Sequence, residues 1–209
     1  MCFRLFWDRA DGDRLSESDT KPEAAGVLNT RSVYRGKVLD VREDTVRFPN
    51  GSEAVLEIVR HRGAAAVLPL YGAGDCAPGT GPDVVLLKQY RYAAGGTIWE
   101  APAGKLDEGE SPEACAVREL EEEAGITADR LIPLTTLLTT PGFSDERIHL
   151  FLATGLGEGL QALEEHEIIE CHRMPLARAV DLVRGGDIVD GKTVCLVLMA
   201  ATMRDVWEG

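Results

Sequence analysis

The clearest periodic pattern in the chain lies between Ser111 and Gly125, where apolar residues recur at helical spacing. Ser111 is a favourable N-cap residue, Pro112 suits the first helical position, and Gly125 favours a left-handed helix end. The pattern therefore predicts a helix over residues 112–124. Four apolar residues are predicted to form its buried stripe: Ala114, Val117, Leu120 and Ala124.

Alternating and short apolar runs predict strands before and after this helix. The predicted strands are two within 31–48, then 53–60, 63–71 and 84–92 before the helix, and 131–138, 148–154 and 168–174 after it. Residues 175–184 and 192–207 are predicted to be helices, and loops are expected at 72–82, 139–147 and 155–167. Since strands and helices are mixed without a regular βαβ repeat, the predicted fold class is α+β, with a small N-terminal antiparallel sheet.

The side of the predicted helix opposite its apolar stripe concentrates carboxylates. Glu119, Glu122 and Glu123 fall within about a 100° arc, and the like-charged i,i+4 pair Glu119 and Glu123 weakens an isolated helix. Such a face is either solvated, as charge runs usually are, or it holds a hard divalent cation such as Mg²⁺.

The spacing of the fixed residues decides between these two interpretations. Gly104, Glu110, the Arg118-Glu119-Leu120 run, the Glu122-Glu123 pair and the Gly125-Ile126 pair match the Nudix box at every fixed position. On this motif the chain resembles the Nudix hydrolases, which cut nucleoside diphosphates linked to another group. The resemblance implies a mixed β-sheet sandwiched between helices.

The composition of the chain limits the classes of binding partner and the cellular compartment that we expect. The net charge of −13 over 209 residues argues against binding of nucleic acid or anionic membranes through bulk charge. An acidic protein that binds a pyrophosphate has to neutralise it locally, with metal ions and a few placed arginines. Five scattered cysteines favour a reduced, cytoplasmic compartment, and no run approaches the roughly 18–20 apolar residues of a membrane span.

The expected organisation has three parts. Residues 1–28 are predicted to be a flexible tail, 29–62 an N-terminal β element, and 63–209 the catalytic domain. The resemblance further implies a homodimer that exchanges its N-terminal strands.

The resemblance also implies roles for residues of a metal centre with two or three Mg²⁺ or Mn²⁺ ions. Glu119 and Glu123 correspond to direct ligands, Glu122 to a ligand or catalytic base, and the carbonyl of Ala103 to a further ligand. Arg118 is expected to orient the carboxylates. In the late acidic loop, Glu165 is expected to be the catalytic base and Glu167 a ligand, with Glu164 as the alternative base.

The flanks of the motif resemble the ADP-ribose pyrophosphatase branch. This resemblance rests on the runs 89–92 and 99–105 and on Pro141, which stands 15 residues after Ile126. Residues implied to bind substrate are Arg91, Glu100, Gly142 and Glu146. Tyr34 and Phe48 are either base-stacking residues or core residues.

The implied reaction is hydrolysis of ADP-ribose to AMP and ribose 5-phosphate. GDP-mannose or ADP-glucose is the alternative substrate, because the motif residues hold the metal and pyrophosphate that all three share. A more remote alternative is a domain that binds ADP-ribose without cleaving it.

Overall fold

A computed structural model describes residues 25–72, 76, 81–163 and 165–203 of the chain. Four predicted features lie wholly or partly outside these residues: the tail up to residue 24, most of the 72–82 loop, the alternative base Glu164, and the end of the last helix beyond residue 203. Within the described part, no helix is long and apolar enough to cross a membrane.

The N-terminal sheet has three antiparallel strands in the order β1-β2-β3. They are β1 (Gly26–Arg35), β2 (Asp40–Arg47) and β3 (Glu53–Arg60). The predicted turn between β2 and β3 is present, and Gly51 adopts a φ of 82° there, which a side chain would oppose. Because β1 begins at Gly26, residues 26–28 belong to the sheet and not to the tail.

The larger sheet has seven strands and is mixed. Its strands are β4 (Ala64–Tyr71), β5 (Asp83–Arg91), β6 (Gly96–Glu100), β7 (Ala103–Lys105), β8 (Ile126–Leu138), β9 (Arg147–Glu158) and β10 (Ile169–Pro175). The main order is β10-β5-β4-β9-β8, with β6 paired to β5 and β7 paired to β4. Only the β4–β9 pair is parallel among the strand pairs of the described residues.

Helices cover both faces of this sheet, and the side-chain alternation of β4 shows why. The helices are α1 (Pro112–Ala124), α2 (Leu176–Gly185) and α3 (Gly191–Thr202). Ala66 and Leu68 lie in a core cluster with residues of α2 and α3, whereas Ala65 and Val67 lie in a second cluster with residues of α1. This arrangement confirms the predicted α+β class, with a mixed sheet between helices.

The structure confirms the ends of α1 but corrects its buried face. The Ser111 hydroxyl accepts a hydrogen bond from the Ala114 N–H at 3.2 Å, and Gly125 ends the helix at a φ of 65°. Ala114 and Val117, however, are exposed, whereas Cys115, Ala116 and Glu123 are buried with Leu120. The helix is rotated so that its glutamates face β7, which hydrophobicity alone did not predict.

Two strands extend beyond their predicted ends. β8 begins at Ile126, immediately after the helix-ending Gly125, and β9 continues to Glu158 into the predicted 155–167 loop. These extensions pair with each other, from Ile126 opposite Glu158 to Ala128 opposite Leu156. These extensions are strands because their backbones pair with each other. Their polar and glycine-containing sequence has no apolar alternation from which a strand could be predicted.

Candidate active site

The candidate site begins where α1 packs against β7. A Cβ atom added to Gly104 would lie 1.7 Å from Glu119 Oε1, so only glycine lets this carboxylate lie directly on the β7 backbone. One turn later, Glu123 Oε2 accepts a hydrogen bond of 2.8 Å from the Ala103 N–H. The two glutamates are therefore held at the same edge of the sheet.

Arg118 joins the carboxylates around this edge. Its Nε and Nη2 atoms donate to the two oxygens of Glu110 at 2.9 and 3.0 Å, and its Nη1 donates to Glu119 Oε1 at 2.6 Å and Glu122 Oε2 at 3.1 Å. The hydrogen bonds from Arg118 lower the pKa of Glu110 to about 2, and the same partners raise the pKa of Arg118. This geometry agrees with the orienting role expected for Arg118.

The buried carboxylates repel one another. The pKa of Glu123 is raised to about 8, first by burial and then by the charges of Glu119 and Glu167, against the hydrogen bond from the Ala103 N–H, which lowers it. The pKa of Glu119 is also raised, first by burial, although Arg118 opposes this shift. Three neighbouring carboxylates thus share a region in which their combined negative charge is unfavourable.

A divalent cation would remove this repulsion, and an all-oxygen donor set suits Mg²⁺ or Mn²⁺. Within the part of the chain that the structure describes, no three acidic, histidine or cysteine side chains already converge in a metal-ligand arrangement. Arg118 and the Ala103 N–H donate hydrogen bonds to oxygens of Glu119, Glu122 and Glu123. The donor chemistry fits the ion.

These residues line a cleft of about 860 Å³, a size typical of small-molecule sites. Eight of the predicted site residues line it: Arg91, Ala103, Arg118, Glu119, Glu122, Glu123, Glu146 and Glu167. Residues that the sequence reasoning did not select also line it, among them His61, Gln89, Lys105 and Lys192. The cleft therefore brings together residues that are up to 154 positions apart (Val38 and Lys192).

Glu100, a further predicted substrate-binding residue, is not among the residues that line this cleft. Its Oε2 accepts a hydrogen bond from Arg91 Nε at 2.7 Å, and its Oε1 accepts one from Lys192 Nζ at 2.5 Å. The residue is only 4% exposed. Glu100 therefore stands behind Arg91 and fixes its guanidinium, and among the described residues the two Nη groups of Arg91 have no hydrogen-bond partner.

Two further predicted residues also lie away from the cleft wall. Gly142 is exposed in the 141–146 loop, and no atom lies within 4 Å of the position that a Cβ would take. Glu165 is exposed in the acidic loop, whereas Glu167 of the same loop lines the cleft. The structure thus brings one of the two predicted acidic-loop residues to the carboxylate cluster.

The acidic loop is attached to the C-terminal end of α1 through three hydrogen bonds. Gln161 Nε2 donates to the Glu123 carbonyl at 2.7 Å, and the Ala162 N–H donates to the Glu122 carbonyl at 2.9 Å. The Gly159 N–H donates to the Gly125 carbonyl at 2.8 Å. These bonds satisfy carbonyls that a helix end leaves without partners, and they tie the loop to the glutamates of α1.

Glu146 and His61 form a further part of the cleft wall. Glu146 Oε2 accepts a hydrogen bond from the Thr139 hydroxyl at 2.7 Å, and Glu146 Oε1 lies 3.5 Å from His61 Nε2. No sequence pattern indicated His61, because a lone histidine at a strand end has no ligand spacing. Lys192 follows the N-cap Asp190 of α3 and was missed for the same lack of a motif.

Tyr34 and Phe48 are not core residues. Tyr34 is 58% exposed and Phe48 is 37% exposed, both in the N-terminal sheet region. The interpretation of these two aromatic side chains as core residues is therefore wrong. Base stacking by Tyr34 and Phe48 stays a prediction.

Comparisons with known proteins place most of the chain in a known family. A model described as the NUDIX domain matches residues 60–196, and one described as the nucleoside diphosphate sugar hydrolase N-terminal domain matches residues 27–56. An ADP-ribose pyrophosphatase of Bacillus subtilis is 42% identical over 80% of this chain and 87% of its own length. A GDP-mannose pyrophosphatase of Salmonella typhimurium is 35% identical over 68% of this chain and 78% of its own length.

A solved structure confirms the fold. The crystal structure of an ADP compounds hydrolase superposes with a TM-score of 0.72 at 24% sequence identity. The match covers 90% of this chain and 97% of the other.

Proposed function

The chain belongs to the Nudix hydrolase family, and from that membership we propose that it hydrolyses ADP-ribose to AMP and ribose 5-phosphate. The observation that carries the proposal is the position of Glu119, Glu122 and Glu123 in one cleft with the guanidinium of Arg91. Carboxylates for cations and an arginine for phosphate are the groups that a diphosphate requires. The similarity to an ADP-ribose pyrophosphatase supports this choice of substrate.

Nudix hydrolases generally need divalent metal ions, and we propose two or three Mg²⁺ or Mn²⁺ ions for this chain. Glu119, Glu123 and Glu167 would hold them, with Glu122 and the carbonyl of Ala103 as further ligands. When bound, such ions neutralise phosphoryl oxygens and make water more acidic. The mutual repulsion of Glu119, Glu123 and Glu167 supports this ligand set.

The other groups of the chain bind and position the diphosphate. Glu100 holds Arg91 through Nε, so that both Nη groups can donate to phosphate oxygens in the cleft. Water adds to one phosphorus and its proton passes to a carboxylate. The bond between that phosphorus and the bridging oxygen then breaks, and the bridging oxygen leaves on the other phosphate.

We propose that the acidic loop supplies the carboxylate that accepts this proton. Glu165 is the base implied by the resemblance, but it is exposed, and Glu167 is the loop glutamate that lines the cleft. A comparison of Glu165→Gln with Glu167→Gln assigns the role. Substitution of the glutamate that acts as the base should lower turnover and leave the metal affinity unchanged. Substitution of a glutamate that binds metal should lower both turnover and metal affinity.

GDP-mannose is the second candidate substrate, because a GDP-mannose pyrophosphatase is among the relatives. The carboxylates and Arg91 do not discriminate between the two, since they bind the diphosphate that both substrates contain. ADP-glucose is the third candidate for the same reason. Binding of ADP-ribose without cleavage is less favoured, because every carboxylate of the motif is present at the α1–β7 edge.

The test is a substrate panel of ADP-ribose, GDP-mannose and ADP-glucose, with and without Mg²⁺ or Mn²⁺, analysed by chromatography. We expect AMP to appear fastest from ADP-ribose, and only with a divalent ion present. Glu122→Gln should lower turnover by about 100-fold or more. The matched control is Glu121→Gln, because Glu121 is an exposed α1 glutamate outside the cleft wall.

The outcomes of this panel separate the candidates. Faster turnover of GDP-mannose would keep the site and change the substrate. Tight binding of ADP-ribose with no hydrolysis of any compound would overturn the enzymatic proposal.

We also propose a homodimer that forms through the N-terminal sheet, in the cytoplasm. All ten residues of β1 are exposed, and they include Val27, Leu28, Val33 and Tyr34. The proposed location rests on the scattered cysteines of the sequence.

A further inference from the structure

A second pocket of about 350 Å³ lies beside the catalytic cleft, between the N-terminal sheet and the strand β7. We call it the basic pocket, because five lysine or arginine residues line it: Arg35, Lys37, Arg60, Arg62 and Lys105. Its acidic lining residues are Asp40, which Arg42 binds through its guanidinium, and Asp107. In a chain with a net charge of −13, this is a local reversal of sign.

Most of these cations have no partner within the described residues. Arg60 forms ion pairs with Asp44 and Asp145. The side chains of Arg35, Lys37, Arg62 and Lys105 make no hydrogen bond or ion pair with any other residue that the structure describes, and all four residues are exposed. Four cations thus face one pocket with their donors available for an anion.

The basic pocket is continuous with the catalytic cleft. Val38, His61, Lys105 and Asp107 line both. A molecule whose diphosphate lies in the cleft can therefore place a neighbouring group in the basic pocket without leaving the protein surface. The pocket is large enough for a phosphorylated sugar, at the lower end of the range for small-molecule sites.

We propose that the basic pocket binds a phosphomonoester dianion next to the diphosphate site. The phosphate group carries a charge of about −2, and guanidinium and ammonium donors on several sides match its oxygens. Two sources have this chemistry, a phosphate substituent on the substrate and the sugar phosphate that hydrolysis releases. The proposal rests on the proposed function only in the identity of these sources.

The first experiment measures binding without catalysis. Ribose 5-phosphate is titrated into the full chain in EDTA, which removes divalent ions, and binding is followed by calorimetry. We expect the double variant Lys37→Gln, Arg62→Gln to bind at least about tenfold more weakly, since two charged donors to the phosphate are lost. The matched control is Arg178→Gln, Arg184→Gln, which removes two exposed cations from α2.

Equal affinity in the two double variants would overturn the proposal, as would the absence of binding to the wild-type chain. Circular dichroism of both variants confirms that they are folded. Because EDTA prevents metal-dependent hydrolysis, this result does not depend on whether ADP-ribose is the substrate.

The second experiment identifies the source of the phosphate. Turnover of ADP-ribose is compared with that of ADP-ribose carrying a 2′-phosphate. The measured ratio is kcat/KM for the 2′-phosphorylated compound divided by kcat/KM for ADP-ribose. If the Lys37→Gln, Arg62→Gln variant lowers this ratio about tenfold, the substituent occupies the pocket. If the ratio is unchanged but inhibition by ribose 5-phosphate weakens, the released product occupies it.

Failure of the proposed function would look different. In that case neither ADP-ribose compound is hydrolysed by the wild-type chain, while the binding measured in EDTA persists.

Discussion

Glu123 shows at the scale of one residue how the site is prepared for a cation. Its carboxylate is 3% exposed, it has one hydrogen bond from the Ala103 N–H, and it faces Glu119 and Glu167. A buried carboxylate of this kind favours the protonated form in the absence of metal. The same burial strengthens its attraction to a divalent ion.

This arrangement predicts a pH-dependent stability of the metal-free protein. The pKa of Glu123 is about 8 in the folded chain and 4.5 as a free side chain, so the folded state retains a proton that the unfolded state has lost between these values. Stability therefore falls as the pH rises from about 5 to 8, by roughly 3–5 kcal/mol from this group.

The measurement is urea unfolding in EDTA at several pH values for wild type and for Glu123→Gln. We expect the unfolding free energy of the wild type to fall relative to that of Glu123→Gln as the pH rises. Added Mg²⁺ should reverse this trend in the wild type but not in the variant. A difference that is independent of pH would show that Glu123 is ionised at neutral pH without metal.

At this scale, the sequence predicted the residues of the motif and little beyond them. Arg118 and the α1 glutamates were identified because their spacing is fixed by one helix. Lys192 and His61 were missed because they reach the cleft from α3 and from the end of β3, and only the folded sheet brings them there. The ion pairs of Glu100 with Arg91 and Lys192 were not predicted, because they depend on contacts that no local pattern reports.

At the scale of the elements, the main connection is between α1 and the acidic loop. The carbonyls of Glu122 and Glu123 receive hydrogen bonds from Ala162 and Gln161, so the loop that carries Glu167 is positioned by the helix that carries the other carboxylates. Gln161 also lies against Gly125, where its backbone nitrogen is 3.3 Å from the position that a Cβ would occupy. The loop and the helix end therefore act as one unit.

We predict that Gln161→Ala disturbs catalysis without unfolding the chain. The variant loses the hydrogen bond to the Glu123 carbonyl, so the loop glutamates are positioned less well and kcat should fall about tenfold. KM should change little, because Gln161 does not line the cleft. The pH profile of kcat should also shift, since the distance between the loop and α1 carboxylates sets their pKa values.

The control for this variant is Leu160→Ala, a change at the neighbouring position, where the side chain is 83% exposed. Gln161→Asn, which keeps the amide on a shorter side chain, tests whether the donor itself is required. If Gln161→Ala retains the wild-type kcat and pH profile, the loop is positioned by its backbone bonds alone.

The boundaries of the elements were predictable where local chemistry defines them. Ser111 and Gly125 fixed both ends of α1, and Pro49-Asn50-Gly51 fixed the turn between β2 and β3. The first residues of β8 and the last residues of β9 were not predictable, because partner strands and not side-chain patterns make them strands. The buried face of α1 was misassigned because Glu123, a charged residue, takes a core position beside the site.

At the scale of the whole molecule, the N-terminal sheet is joined to the catalytic part through the 141–146 loop. The Val59 N–H donates to the Phe143 carbonyl at 2.8 Å, and Asp145 binds both Arg60 and the His61 N–H. The same loop ends at Glu146 in the cleft wall. The N-terminal sheet and the cleft wall therefore share this loop.

The outer strand of that sheet gives the reason to expect a second copy of the chain. β1 pairs only with β2 among the described strands, and Val33 and Tyr34 are more than half exposed. An exposed edge strand with apolar side chains favours association with another strand or sheet. The N-terminal sheet is small, and its central strand has only one buried residue, Asp44, so pairing would also stabilise it.

We therefore predict that the wild-type chain is a dimer in solution and that Val33→Asp shifts it to monomer. The introduced charge would have to be buried at the interface without a partner, which should weaken dimerisation by at least about tenfold. Light scattering across a range of protein concentrations measures the mass. Val189→Asp is the matched control, because Val189 is similarly exposed but lies in the loop before α3.

A monomeric wild-type chain at every concentration, or an unaffected dimer in Val33→Asp, would contradict the assembly through β1. If the prediction holds, the activity of Val33→Asp becomes informative in turn. Because the N-terminal sheet contacts the loop that carries Glu146, loss of the partner should raise KM for ADP-ribose, while kcat, which depends on the α1 carboxylates, should change less.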